Sequence, residues 1–360
     1  MSVIERNVRP VANRTAGPTG VGLGDAAERL VGGPYDALVD SSPQGSIYCR
    51  RWWLEAVAPG AWRILTVEKN GYLHAAWPIV LREHLGRTNV VMPMMTQKLG
   101  ILFPAPRPNQ KYVERLSTEH KLINELMAQL PEGGAFRHSF HESFTNWQMF
   151  YWHDYKQTTR YTYLLEDVHD HDKLWENMRG SCRGVIRNAR KQGLEVDEDV
   201  PFEDMLALND MTFERQSLET PVTHDLLRRI DRACSLYGGR RVFGTRDRQG
   251  RLHAAVYVVW DNGTMYALML GSDPKIRHTG ALKLAVWQAI KFARQVVDRW
   301  DFEGSMMPSV EASNRDLGGV QRPYFVISRL GRPNTAQRAV RKLGRMATRV
   351  LPLRVTEGLV

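Results

Sequence analysis

The sequence predicts an α/β chain with a mixed sheet, built as two related halves in tandem. Residues 71–76 read Gly-Tyr-Leu-His-Ala-Ala and residues 250–255 read Gly-Arg-Leu-His-Ala-Ala, about half the chain apart. Each copy sits at the same place in a hairpin pattern: Lys69, Asn70 and Gly71 join two β-rich runs, and Asp247 to Gly250 join two more. Turn residues between β-rich runs are what a tight antiparallel connection needs, and likeness in context as well as in letters points to duplication. A length of 360 residues suits about two domains.

Composition narrows the class. At 43% hydrophobic and 24% charged the chain reads as globular rather than disordered or membrane-spanning. No stretch approaches the ~18 unbroken apolar residues of a membrane span, and the amino terminus lacks a basic-then-apolar leader. The expected location is the cytoplasm, with peripheral contact at the inner membrane face left open. Cys49, Cys182 and Cys234 are single and far apart, so they read as reduced thiols.

The elements follow in order. Residues 1–34 mix Pro, Gly, Asn and Arg without periodicity and are expected to be poorly ordered. The first half, 35–165, opens with a helix over Ser46–Ala58 that Pro59 and Gly60 end, with Trp52, Trp53 and Trp62 as core or seam residues. After the first hairpin, Met92–Pro104 is apolar and punctuated by proline, a segment suited to line a cleft or a domain seam. A helix near Val113–Gln129, two short aromatic strands in 135–153 and a strand over Tyr161–Leu165 complete this half.

The second half, 166–330, begins with a helix over Lys173–Gln192. Its spacing puts Trp175, Met178, Cys182, Ile186 and Ala189 on one face and Arg179, Arg183, Arg187 and Arg190 on another. Asp170 or Asp172 is placed to cap its start, and Gly193 its end. Guanidinium forks match phosphate oxygens, so the stripe is a candidate anion-binding surface; the alternative is a solvated face paired with acids elsewhere. A strand over Thr264–Gly271, a loop over Ser272–Gly280, a helix over Ala281–Arg294 and a strand over Arg299–Ser305 follow. The loop ends in Arg277, His278, Thr279, Gly280 and Ala281, and a glycine at a helix start lets free N–H groups approach a phosphate.

From Leu317 to Thr356 there are nine Lys or Arg residues and no acid. Within 331–360, Ala336, Ala339, Val340, Leu343, Ala347 and Val350 recur at helical spacing, describing a basic amphipathic helix ended by Pro352. Such a helix suits RNA or an anionic membrane surface, or else packs its apolar stripe on the fold. Val168–Asp172 alternates His and Asp and reads as a cap and loop rather than a metal site. The repeated pair His74 and His253 implies a shared structural task, such as bonding a hairpin carbonyl.

The Arg183–Gly193 helix, the Ser272–Phe292 loop and helix, and the strand Trp300-Asp301-Phe302-Glu303-Gly304 together resemble the Fem-type branch of the GNAT acyltransferases, over roughly residues 40–330. The resemblance implies tandem GNAT-like domains and an N-acyltransferase with no permanently bound cofactor. It implies acyl-CoA or aminoacyl-tRNA as donor and an amine on a small molecule, peptide or sugar as acceptor, in cell-envelope or specialised-metabolite biosynthesis. Arg277 and Gly280 match the GNAT phosphate cradle, while Leu282 stands where its last small residue belongs, a departure that fits aminoacyl-tRNA. By the same resemblance two strands splay to make the acyl slot, with Ser272, Asp273, Asp301 and Glu303 at its mouth and Thr279, Gly280 and Ala281 beside the donor. Strand alternation sends Asp301 and Glu303 to one face. Glu303 is the leading candidate for the base, with Asp273 and Glu311 behind it. A noncatalytic RNA- or membrane-surface-binding protein on a degenerate GNAT pair is the competing reading.

Overall fold

The computed structural model describes residues 30–331 apart from 85, 216–221, 262, 277 and 278, without the side chains of 213–215. The amino-terminal segment, Arg277 and the basic tail helix therefore lie outside the described residues. The helices are α1 (Gly33–Ser41), α2 (Arg51–Val57), α3 (Tyr112–Met127), α4 (Gln148–Trp152), α5 (His171–Asn177), α6 (Gly180–Lys191), α7 (Phe202–Arg215), α8 (His224–Tyr237), α9 (Ala281–Ala293) and α10 (Pro308–Asp316). The strands are β1 (Trp62–Lys69), β2 (Tyr72–His84), β3 (Arg87–Val91), β4 (Phe136–Ser139), β5 (Lys156–Leu165), β6 (Glu195–Asp197), β7 (Gly239–Arg246), β8 (Leu252–Asp261), β9 (Thr264–Ser272), β10 (Arg299–Asp301) and β11 (Val320–Arg329).

These strands form one mixed sheet in the order β1-β2-β3-β4-β11-β5-β10-β9-β8-β7-β6. Read from either edge hairpin towards the middle, the two halves repeat: β2 is antiparallel to β3 as β8 is to β9, and β3 is parallel to β4 as β9 is to β10. The final strands are exchanged. β5 follows β4 in the chain but lies beside β10, while β11 lies beside β4, and the two pair with each other from Val320↔Leu164 to Ser328↔Lys156. The exchange knits both halves into one sheet at its centre.

The repeated letters encode a shared irregularity. In the first hairpin Val67 faces Ala75 and Glu68 faces Leu73, leaving His74 out of register; in the second, Thr245 faces Ala254 and Arg246 faces Leu252, leaving His253 out. Both are β-bulges at the same position of Leu-His-Ala-Ala. The first turn is Asn70-Gly71, with φ 52 and 77, the left-handed pair that a two-residue hairpin requires.

β8 is almost wholly buried from His253 to Val259, as expected of a strand covered on both faces. One cover is α9 with α6, whose Cys182, Ile186 and Ala189 join Leu284, Ala285 and Ile290. The other joins the halves: Trp52 and Trp53 of α2 share a cluster with Leu226, Leu227 and Ile230 of α8.

Four expected elements differ, one being the Arg299–Ser305 strand, which ends at Asp301 because Glu303 takes left-handed backbone at φ 60. The Ser46–Ala58 helix is a 3-10 turn over Ile47–Cys49 followed by α2, because Arg50 is extended and its guanidinium bridges Asp40 and Asp261. The Lys173–Gln192 helix is two helices, broken where Met178 and Arg179 take ψ of 146 and 136. There the Arg179 N–H donates to the Asp316 carbonyl at 3.0 Å, a tertiary bond in place of a helical one. The second aromatic strand of 135–153 is α4, in which Met149 and Phe150 are buried and Tyr151 and Trp152 exposed, a helical rather than alternating pattern. Asp170 caps α5 by accepting from the Lys173 N–H at 2.9 Å.

Gly304 lies where the exchanged β5 passes, and a Cβ there would come 2.2 Å from the Tyr161 carbonyl oxygen and 2.4 Å from Thr162 Cα. Gly304→Ala should destabilise by about 1–3 kcal/mol through overpacking. Gly184→Ala, inside α6 where an added carbon meets nothing, should instead stabilise by about 0.5–1 kcal/mol. Chemical denaturation of both variants checks the opposite signs.

Candidate functional site

β10 accompanies β9 for three pairs, Arg299↔Thr264 to Asp301↔Tyr266, and β9 then runs on alone to Ser272. The chain leaves it because the Phe302 N–H donates to the Tyr163 carbonyl of β5 at 3.0 Å. The opening is a cleft of about 730 Å³, walled by Ala267 to Ser272, by Leu282, Lys283 and Val286 of α9, by Phe302, and by Val310, Ser313 and Asn314 of α10. Met94 and Met95 close its far side, which is where the Met92–Pro104 segment was expected to serve. The Asn314 Nδ2 donor is buried there without a partner.

One feature of the wall had no sequence signal. Tyr257 faces Met269 and Val258 faces Ala267, so Leu268 is an extra residue in β9. A bulge takes main-chain polar groups out of the ladder, and here it does so within a largely apolar slot.

The residues expected at the donor side divide. Ser272 lines the cleft. The Thr279 hydroxyl donates to the Ile276 carbonyl at 3.0 Å and meets His253 Nδ1 at 3.3 Å, so Thr279 shapes the loop. Gly280 is the N-cap of α9 with φ 79 and no side-chain cap, and buried Ala281 begins the helix. A Cβ on Gly280 would meet Val185 Cγ1 at 2.6 Å and the Val185 carbonyl oxygen at 3.0 Å. Its small size therefore lets α9 start against α6, a packing constraint beside the phosphate approach expected of this glycine. The first-turn N–H groups of α9 have no helical acceptor, and Leu282 and Lys283 of that turn reach the cleft wall.

His253 bonds two side chains rather than the hairpin carbonyl expected of it. Its Nε2 lies 3.0 Å from Asp247 Oδ2, so the bulged histidine links the hairpin turn to the Thr279 loop. His74, its counterpart, instead lines a separate cleft of about 580 Å³ with Arg107, Arg115, Glu119 and Asn146. In the first half the opening between β3 and β4 is filled. The Leu99 N–H donates to the Ser139 carbonyl at 2.8 Å, and Leu102 exchanges main-chain bonds with Ala76.

The arginine stripe is partly paired. Arg179, at the N-cap of α6, reaches Asp316 at 3.1 Å, and Arg183 reaches Glu176 at 2.8 Å. Arg187 lies over the Trp175 ring at 5.4 Å, and Arg190 is exposed.

The three carboxylates are not equivalent. Asp273 accepts from the Lys275 N–H at 2.8 Å as a turn former. Arg315 holds the Glu311 carboxyl below its usual range by a hydrogen bond at 2.8 Å, which makes it a poor base. Glu303 follows Phe302 of the cleft wall, with its backbone left-handed at φ 60. The residue is half-buried, yet its Oε1 is enclosed without a hydrogen-bond partner, and desolvation pushes the carboxyl up to about 8. Its backbone N–H donates to Asp301 Oδ1 at 2.9 Å. Asp301 is fully buried, and it also accepts from Thr162 Oγ1 at 2.5 Å and pairs with Lys98 at 2.8 Å.

A carboxyl raised from 4.5 to about 8 binds more protons folded than unfolded between those values. Its contribution to stability is complete below about pH 4.5 and is lost as pH rises through about 8. Glu303→Gln should therefore match the wild type in thermal midpoint near pH 4.5 and exceed it near pH 9. Equal midpoints at both pH values would show that the carboxyl ionises freely.

Residues 176–304 match the family described as acetyltransferase (GNAT) domain. In fold, the chain is similar to the crystal structure of FemX, with a TM-score of 0.61 at 14% identity over 81% of this chain and 94% of that one. It is also similar to a conserved protein of unknown function from Bacteroides thetaiotaomicron VPI-5482, with a TM-score of 0.54 at 10% identity over 82% of this chain and 96% of that one. No curated protein sequence matches it. Among the described residues no helix is long and apolar enough to cross a membrane. Residues 176–304 thus match a GNAT acetyltransferase domain, and the chain as a whole has an α/β fold similar to that of FemX.

Proposed function

We propose that the protein transfers an acyl or aminoacyl group from an activated donor to an amine, with Glu303 as the base. The observation that carries this reading is the enclosed, unpartnered Glu303 carboxyl, at the end of the strand that parts from β9 to open the cleft. The donor enters from the α9 side. Its anionic groups meet the first turn of that helix, and its acyl group lies along the bulged stretch of β9. The amine comes from the Glu303 side of the opening.

The amine nitrogen attacks the acyl carbon, and charge develops on the acyl oxygen. Main-chain groups freed at Leu268 are placed to stabilise that oxyanion. Glu303 takes the proton lost by the nitrogen. The tetrahedral species then expels a thiolate from acyl-CoA or, with the proton returned by Glu303 to the departing ribose oxygen, a ribose hydroxyl from aminoacyl-tRNA, completing the amide. Cys49, Cys182 and Cys234 are all buried, and burial raises each thiol above its usual range, so none is suited to act as a nucleophile.

Between the donors, Leu282 on the cleft wall and the Fem-type resemblance favour aminoacyl-tRNA. The arginines of α6 offer the phosphate contacts that such a donor needs.

The test incubates the protein with labelled acetyl-CoA or a charged tRNA pool and a panel of primary amines. One label should appear on an amine. Glu303→Gln should lower turnover by roughly 10²–10⁴-fold while donor retention stays intact. Because the base must be ionised, wild-type turnover should rise with pH through about 8, and the variant should lack that limb. Full turnover by Glu303→Gln at every pH would overturn the assignment, and retention of charged tRNA without transfer would support the noncatalytic reading.

If the donor is aminoacyl-tRNA, Arg183→Ala and Arg187→Ala should each weaken its retention. Each should also reduce the slope of log K against log salt by about one unit per lost phosphate contact. An unchanged slope would assign these arginines to their Glu176 and Trp175 contacts.

A further inference from the structure

We propose that Lys98, carried by the first half, is a positioning residue for the second half's acyl-transfer site: it holds Asp301, and through Asp301 the backbone of Glu303. This inference rests on the reading of Glu303 given above. Lys98 is 1% exposed, with its Nζ 2.8 Å from Asp301 Oδ2 and 2.6 Å from Glu142 Oε2. Burial alone would pull its ammonium down, but the two carboxylates outweigh it and keep the group charged. With Oδ2 held by Lys98, the Asp301 Oδ1 is aimed at Thr162 Oγ1 and at the Glu303 N–H.

That N–H belongs to a non-glycine residue at φ 60. Left-handed backbone is unfavourable for a residue with a Cβ and persists where its surroundings over-determine it. A buried ion pair is weak support for stability, since apolar replacements are often no worse. Its product here is a conformation: the Glu303 backbone fixed beside Asp301, with the carboxyl near Tyr324 of β11, which also faces Lys98. The route by which Lys98 arrives is also built. Residues 99–102, bonded to Ser139 and Ala76, fill the first half's own strand opening and set Lys98 at the sheet's centre.

The double variant Lys98→Met with Asp301→Asn removes both charges together, and Glu142 keeps Arg299 at 3.3 Å. Three quantities are read on the full chain: retention of labelled acetyl-CoA or charged tRNA, kcat against KM for transfer to an amine, and the carboxyl titration of Glu303. The titration uses ¹³C-glutamate-labelled protein, in which the Glu303 signal is the one absent from Glu303→Gln. The expected result is unchanged donor retention and KM, a kcat lower by roughly 10–100-fold, and a displaced Glu303 titration midpoint. Lys98→Arg, which keeps the charge, should restore part of kcat in the presence of Asp301.

A folded double variant with wild-type kcat and an unmoved Glu303 titration overturns the inference. If the double variant fails to fold, Thr162→Val, which removes one donor to Asp301 and leaves no charge unpaired, must move the titration in the same direction, and an unmoved midpoint overturns the proposal. Failure of the base assignment itself is distinguishable: Glu303→Gln would then keep its turnover, while the titration still reports whether Lys98 and Asp301 position Glu303.

Discussion

Asp301 has nowhere to place its charge except against Lys98. Both side chains are 1% exposed, and four further ionic groups, beginning with Glu142 against Lys98, extend the contact across the middle of the sheet. Arg299 joins Glu142 and Glu166, and Glu166 joins Arg322 of β11. This chain of charges sits where β5 and β11 are exchanged between the halves, and it links β10, β5, β11 and the first half's connecting segment. Removing Lys98 or Asp301 alone leaves a buried partner uncompensated, at about 3–5 kcal/mol, whereas Glu166 and Arg322 at the far end are solvent-exposed. The geometry of the cleft depends on the buried pair, because Phe302 and Glu303 follow Asp301 directly.

Duplication has produced two halves that share a framework and differ in what fills it. Both hairpins carry the same bulge, yet His253 ties its turn to the loop before α9 while His74 faces a separate cleft. Both halves set a parallel pair of strands next to the exchanged strand, yet the first opening is plugged by residues 99–102 and the second is left as a slot. One half thus became support for the other. The cost is concentrated at the supported point, where a left-handed glutamate keeps an unpartnered oxygen. Strain and unsatisfied polarity gathered at one residue beside a cleft are what a reactive site requires and what a purely structural strand end would avoid.

The sequence made the hairpins legible because a bulge is a local event, written within Leu-His-Ala-Ala. The choice of Asp301 and Glu303 came from the resemblance to Fem-type enzymes, whereas the alternation expected to align them stops at Asp301, since Glu303 lies past the strand in left-handed backbone. Long-range pairings were not legible. Arg179 read as an unpaired member of a stripe because its partner Asp316 is 137 residues away, and no local pattern tells β5 to lie beside β10. Lys98 escaped notice because a lysine among apolar residues reads as a side chain that reaches out to water. The Leu268 bulge left no mark, since the run Leu-Met-Leu suits a regular strand equally well. Gly280 was noticed as a helix start open to phosphate, but its close approach to Val185 of α6 is a contact that helix signals cannot reveal.

The central claim is that the opening between β9 and β10 is an acyl slot served by Glu303, two residues past the end of β10. A crystal structure with a donor analogue tests it most directly, using desulfo-acetyl-coenzyme A and an amide-linked aminoacyl adenosine in separate soaks. The account places the acyl oxygen within about 3.2 Å of a main-chain N–H at the bulge around Leu268, with the acyl carbon on the open path towards Glu303. An analogue ordered in the His74 cleft, or one whose acyl group points away from β9 and Glu303, would contradict it.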